Sequence, residues 1–448
     1  MLQGDAPMND TDDGHRASAI RKLNWRLMPF LMACFLVAYL DRSNISVAAL
    51  TMNADLGLTT AMYGLAAGLF FVTYTVFEIP SNLALARVGA RRWIARIMVS
   101  WGAVAALMCL VHAPWQLYGM RLLLGAAKAG FTPGVIYYLS LWYPARERGR
   151  AMSIFYIGAT LASVVGLPIS GALLGLDGVA GLAGWRWLFL VEGLPAMVLG
   201  LLVLLLLPET PRAARWLSDA EKGWLETSLA ADARGGGEAA PSHDWKPALR
   251  SGRVWALAAF WLLQAFGTIG VTLFMPLIVK GLSGQSNFLV SLLSALPFLL
   301  ACVLMYLNGR SSDRMGERAL HLGLPLLASG VLLAASVWCA AAGATLGAYV
   351  LLVLAVGLNW ASTPVFWAAT TDQLSGLAAA AGIALINAMA QFAGMGLPPL
   401  VGRIKDATGS YDAGILLIAA ALAVGGLLGL KVAGRGRMGA SSAVPAQA

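Results

Sequence analysis

The chain has 448 residues, 59% of them hydrophobic and only 12% charged, with a net charge of +9 and a mean hydropathy of +0.73. A soluble chain carries about 25% charged residues, so the composition excludes a soluble domain and points to a polytopic membrane protein. The four cysteines, Cys34, Cys109, Cys302 and Cys339, lie in apolar stretches without metal-ligand spacing, and read as small buried hydrophobes rather than as disulfides.

In chain order, residues 1–20 are polar and include Asp5, Asp10, Asp12 and Asp13. The first apolar segment is too long and too late for a cleaved signal peptide. Twelve apolar segments long enough to span a bilayer follow, at 27–50, 60–82, 93–112, 115–141, 150–175, 186–207, 254–279, 288–308, 319–342, 345–370, 376–401 and 412–432. The polar stretch 208–253 separates the sixth from the seventh. It holds WLSDAEKGWL, expected as a short amphipathic helix, and ARGGGEAAPS, expected as a flexible linker. The expected organisation is an all-α integral membrane protein. It has a cytoplasmic tail 1–20, a six-helix bundle 21–207, a cytoplasmic linker 208–253, a second six-helix bundle 254–432 and a tail 433–448.

Basic residues set the expected orientation. The N-terminus, the 2–3, 4–5, 6–7 and 8–9 loops and the C-terminal tail hold 24 of the 31 Lys and Arg residues, and the opposite side holds four: Arg186, Lys280, Arg403 and Lys405. The positive-inside rule then places both termini in the cytoplasm. It also accounts for the net charge without nucleic acid. The halves repeat: NLALARVGARR after the second segment and GRSSDRMGER after the eighth align at an offset of 227, Arg87 on Arg314 and Gly89 on Gly316. The loop motif is therefore Arg87, Gly89 and Arg91 in one half and Gly309, Asp313, Arg314 and Gly316 in the other. A duplicated six-helix unit is the architecture of a secondary transporter.

Three basic residues remain unassigned to either side, Arg42, Arg121 and Lys128, and all three lie within membrane segments of the N-terminal half. Ionised side chains there cost roughly 2.5–3.5 kcal/mol on insertion scales. Arg121, Gly125, Lys128 and Thr132 share a helical face by spacing, and Asp41 shares one with Asn44. Each charge reads as an ion pair between helices, as a snorkelling side chain, or as part of a wet cavity; snorkelling is an open alternative above all for Arg121. Three cations against Asp41 leave a positive excess, which favours anions. Polar residues recur at helical spacing: Gln264, Thr268 and Thr272; Asn359 and Thr363; Asn387 and Gln391. Singly they read as interhelical hydrogen bonds, and together as a polar path with Tyr74, Trp360, Phe366 and Trp367 as aromatic walls. Glu78 in FEIPSN reads as a gate or helix–loop pairing. Gly64/Gly68 and Gly171/Gly175 read as close helix packing.

No GxxxxGK[ST] is present, so ATP is not the expected energy source. GRGRMG at 434–439 fits GxGxxG but follows no strand. His15, His112, His243 and His321 are scattered, and no nucleophile–base pairing stands out. No metal, cofactor or enzymatic activity is expected.

Residues 25–432 resemble the anion:cation symporter family of the major facilitator superfamily, in its tartrate, phthalate and 4-hydroxyphenylacetate permease branch. The stretches that carry the resemblance are YLDRSNIS, FEIPSNLALARVGARRWIARIMVSWG, RLLLGAAKAGFTPGVIYYLSLWYP, GWRWLFLVEGLPA, LPETPRAARWLSDAEKGWL, AAAAGIALINAMAQFAG and GRIKDATGSY. The resemblance implies the major facilitator fold, with 12 transmembrane helices in two six-helix halves. It implies proton-coupled uptake of a mono- or dicarboxylate, aromatic cargo included, across a bacterial inner membrane by a monomer. Its partners are the anion, protons and the bilayer. It casts Asp41 as a protonation site, Arg42 and Tyr74 as carboxylate-binding, Arg121 as part of the central charge network, and Asn387 as a cavity residue. Gln264, Asn359 and Trp367 join them as substrate-site candidates. The family motif AEAGF here reads AKAGF, so Lys128 replaces a carboxylate, and pairing with Asp41 or titration of Lys128 itself are the two ways it enters proton coupling. An antiporter or facilitator of the same fold is the competing expectation; a membrane sensor or membrane enzyme stands behind both.

Overall fold

The computed structural model describes residues 10–235, 250–373 and 377–432, which are helical with no strand among them. The C-terminal tail with GRGRMG, and most of ARGGGEAAPS, lie outside the described residues. Eleven helices among those described are long and apolar enough to cross a membrane. The fifth expected segment lies in a 30-residue helix, Ala145–Leu174, about 45 Å long at 1.5 Å per residue.

The chain forms two compact units. The first holds α1 (Asp10–Arg26), α2 (Met28–Asp55), α3 (Thr60–Val88), α4 (Ala90–Leu107), α5 (Pro114–Lys128), α6 (Phe131–Ser140), α7 (Ala145–Leu174), α8 (Gly184–Leu206) and α9 (Asp219–Gly235). Within it α4 packs on α8, α2 on α7 and α8, and α3 on α5. The second unit holds α10 (Gly252–Ala265) and a π turn, Phe266–Val271. The chain then passes through α11 (Thr272–Ser283), which lies in the first unit, and α12 (Asn287–Met315), shared at Leu299 and Leu300. The second unit continues with α13 (Ala319–Ala341) and α14 (Thr345–Gln373). It also takes α15 (Leu377–Thr408) as far as Ala393, and α16 (Asp412–Val432). There α13 packs on α14 and α16, and α10 on α16. Gly394–Tyr411 of α15 and its end belong to the first unit.

Local chemistry explains the helix ends. Thr59 caps α3 by accepting the Met62 N–H at 3.2 Å, and Ser251 caps α10 at Val254. The repeated loop motif has a backbone cause. Gly89 (φ +94°) ends α3 and Gly316 (φ +60°) ends α12, each in a conformation that disfavours a side chain. A Cβ on Gly89 would also meet the Glu209 carboxylate, and Arg91 donates to the Leu204 carbonyl, so the end of α8 closes on this turn. Gly309 by contrast sits inside α12 with open space around it.

Two predicted segments are interrupted. The fourth is not one helix: α5 stops at Lys128, Gly130 is left-handed (φ +84°), and α6 restarts at Phe131. A Cβ on Gly130 would run into Ser81 Oγ, whose hydroxyl donates to Ala129 O at 2.7 Å. The face shared by Arg121, Gly125 and Lys128 therefore does not continue to Thr132. In the seventh, the π turn shifts the register, so Gln264, Thr268 and Thr272 do not form one face. The WLSDAEKGWL helix is longer than expected and starts later, at Asp219. Of the glycine pairs, Gly64 and Gly68 pack on the backbone of Pro398 and Met395, and Gly171 packs on Ser291. Gly175 meets only its own helix. All four cysteines are free, two buried and two half-buried.

Candidate functional site

The site is built on α2, α5 and α8, three helices of the first unit. Helix α2 turns Asp41 inward, 1% exposed, and leaves Arg42 half-buried one position round. Helix α5 ends on Lys128, 5% exposed, because the left-handed Gly130 stops the helix there. The Lys128 ammonium donates to Asp41 Oδ2 at 2.7 Å and to Ala38 O at 2.6 Å, and lies 5.1 Å from the Trp101 ring centroid. On the other side of Asp41, Asn44 Nδ2 donates to Oδ1 at 3.3 Å. A buried pair survives its desolvation cost only with such extra hydrogen bonds.

Arg121 does not snorkel. It is 2% exposed, its Nε donates to the Ala66 carbonyl at 3.2 Å, and its guanidinium lies 4.9 Å from the Phe70 ring centroid. The close approach of α5 to α3 that allows this runs through Gly125, where a Cβ would meet Phe70 O. Arg42 is held by aromatic faces, 5.2 Å from Phe71 and 5.8 Å from Tyr39. The Tyr74 ring lies 5.6 Å from Phe70, and its hydroxyl faces Thr132. The structure thus gathers Asp41, Arg42, Tyr74, Arg121 and Lys128 in one unit. It adds a carboxylate that the sequence reading passed over: Glu192 of α8, 4% exposed, which accepts the Ser170 hydroxyl at 2.5 Å. A lone Glu in a 23-residue apolar helix was the available signal.

In the second unit, Gln264 Nε2 donates to Asn359 O at 3.0 Å, Ser362 Oγ at 3.0 Å and Thr363 Oγ1 at 2.9 Å. Both side-chain atoms of Asn359 are buried without a partner, as is Gln264 Oε1. The π turn brings Gly267 against the Asn359 amide. Trp261 stacks on Phe366 at 4.7 Å, with Trp367 edge-on at 5.1 Å. Asn387 is half-buried on α15. Glu78 and Arg87 stand towards the far end of α3, Arg87 exposed. In the second unit's copy of the loop motif, Asp313 pairs with Arg318 at 2.6 Å and Arg314 is exposed. No group of three or more His, Cys, Asp or Glu able to hold a metal exists among the described residues.

A sequence model of the Major Facilitator Superfamily matches residues 31–399. A putative tartrate transporter of Agrobacterium vitis is 44% identical over 420 residues, 93% of this chain and 92% of the relative. The putative metabolite transport protein NicT of Pseudomonas putida is 41% identical over 415 residues, covering 92% and 94%. Among solved structures, a bacterial homologue of the human lysosomal transporter Spinster, inward-facing and occupied, superposes with a TM-score of 0.72. Its identity is 18%, with 96% of this chain and 97% of that chain covered.

Proposed function

The chain belongs to the Major Facilitator Superfamily, as a multi-pass membrane transporter and not an enzyme, and we propose that it carries an organic anion inward together with protons, by alternating access. The observation that carries this reading is Arg42. It sits inside a membrane helix, half-buried, with aromatic faces around it and no carboxylate partner among the described residues. A guanidinium in that position is a ready partner for a carboxylate. Arg121 lies in the same unit, its head group held by a carbonyl and a ring.

The relatives named as tartrate transporters support a small dicarboxylate as cargo. In this reading Arg42, Tyr74, Arg121 and Lys128 bind the anion, and Asp41 with Lys128 links binding to protons. Gln264, Asn359, Trp367 and Asn387 are the candidates of the second unit, and Glu78 and the two loop motifs govern gating. The chain works as a monomer in a bacterial inner membrane with both termini in the cytoplasm.

The test is uptake of labelled tartrate by liposomes holding the purified protein, with the interior alkaline. Accumulation that collapses when the pH gradient is dissipated is expected, and its absence for tartrate and related dicarboxylates overturns the reading. The Asp41–Lys128 pair favours one alternative, exchange without net proton movement, because each charge already has its counter-charge. In that case uptake follows an anion trapped inside and ignores the pH gradient.

A further inference from the structure

The buried carboxyl of Glu192 takes no part in the ion pair described above. Its Oε1 accepts the Ser170 hydroxyl from α7 at 2.5 Å, and its Oε2 is buried without a partner. The amide of Asn44, from α2, faces the same carboxyl group, and Asn44 Oδ1 is also buried without a partner. Two orphaned acceptor oxygens on facing groups are unfavourable, since each has lost its water and gained nothing. One proton on Glu192 Oε2 removes the buried negative charge and turns an unpartnered acceptor into a hydroxyl.

The charges around the group point the same way. From α2 it is faced by Asp41, a like charge, and from α7 by the neutral Ser170. At the neighbouring Gly193, α4 contributes the backbone of Gly102 and Ala106. Arg186, at the start of α8, is turned to the Cys109 carbonyl, and Lys128 is spent on Asp41 and Ala38.

We infer that Glu192 is a proton-carrying carboxyl of the transport cycle, joined through Asn44 to the Asp41–Lys128 pair. The step is a plain proton exchange, carboxylate plus a proton giving the acid. With Glu192 neutral, three cations (Arg42, Arg121, Lys128) against Asp41 leave two positive charges, which match a dianion. With Glu192 ionised only one is left. Proton binding at Glu192 therefore strengthens anion binding in the first unit, and by reciprocity the anion holds the proton. Glu192 supplies a carboxyl from a third helix, α8, facing the Asp41–Lys128 pair of α2 and α5. This inference rests on the proton-coupled reading above.

Its first test needs no substrate. Infrared difference spectra of the purified protein across a pH titration are compared for the wild type and Glu192→Gln, which keeps shape and removes the titration. A carbonyl band of a buried carboxylic acid that fades as pH rises, and is missing from Glu192→Gln, is expected. Identical difference spectra overturn the inference even if transport is proton-coupled. The second test is tartrate exchange in liposomes as a function of pH. Glu192→Gln is expected to flatten the pH profile and to lose accumulation driven by a pH gradient. A variant that keeps the wild-type profile, or that loses exchange at every pH while remaining monodisperse, assigns Glu192 to packing and overturns it. Wild-type protein that moves no dicarboxylate sinks the cargo reading, and leaves the infrared comparison to decide Glu192.

Discussion

Lys128 and Asp41 form an ion pair 2.7 Å long, with side chains 7% and 2% exposed, between the end of one membrane helix and the middle of another. Removing one member strands a buried charge, which typically costs about 3–5 kcal/mol, whereas removing both together is often neutral. Lys128→Met is therefore expected to lower the unfolding temperature in detergent, and Asp41→Asn combined with Lys128→Met to recover most of the loss. Losses that simply add in the double variant would mean that the two groups are not energetically coupled.

Arg42→Ala is expected to abolish anion uptake while the protein stays folded in the membrane. Truncating a desolvated charge partner costs about 2–5 kcal/mol in binding, and each 1.4 kcal/mol is about tenfold in affinity. Initial uptake rates normalised to membrane abundance are the measurement. Near-normal uptake would make Arg42 a structural side chain resting on Phe71 and Tyr39.

The apolar segments were legible because twenty-residue runs without charge admit few other readings. Asp41, Arg42, Arg121 and Lys128 were legible for the converse reason: an ionisable group inside such a run stands out. Glu192 carried the same signal but lay in GWRWLFLVEGLPA, where the stretch was read only as a family likeness. The break at Gly130 and the π turn at 266–271 were hidden because hydropathy continues through both. Only φ at Gly130 and the packing of Gly267 on Asn359 show why the chain changes course. Burial of Arg121 was equally out of reach, since spacing gives a face but not what covers it.

At the cytoplasmic end expected from the basic residues, α1 docks on α9 through Glu221, which is 3% exposed. Ser18 and Lys22 of α1 both donate to its carboxylate at 2.7 Å, as does the Ser218 N–H. Burial by itself would raise the Glu221 carboxyl, but the hydrogen bonds from Lys22, Ser18 and Ser218 outweigh it and bring it down to about 2. A carboxyl held below its unfolded value of about 4.3 contributes stability that is full above that value and lost as pH falls towards 2. Hydrogen exchange in Asp10–Arg26 should therefore quicken, beyond its intrinsic pH dependence, as pH drops below about 4.3. Glu221→Gln should show the faster exchange already at neutral pH. Unchanged protection in Glu221→Gln would show that α1 is held by other contacts.

Away from the loop motif, α3 begins against the end of α15. Asp406 accepts the Thr60 N–H at 3.0 Å and the Ala61 N–H at 2.8 Å, so a carboxylate from one helix caps another 345 residues earlier. Beneath the cap, Gly64, Gly68 and Gly402 bring the two backbones together, and Tyr63 donates to the Leu273 carbonyl at 2.7 Å. The cap supplies a charge where the helix dipole favours one, and its loss should cost about 0.5–2 kcal/mol. Asp406→Ala should then loosen the seam without unfolding the chain. A cysteine placed at Ala61 should label faster with a membrane-impermeant maleimide in Asp406→Ala than in the parent. Gly68→Leu, which drives a side chain into the Met395 carbonyl, should have the larger effect. Equal labelling in all three proteins would mean that neither the cap nor the glycine packing keeps this end of α3 closed.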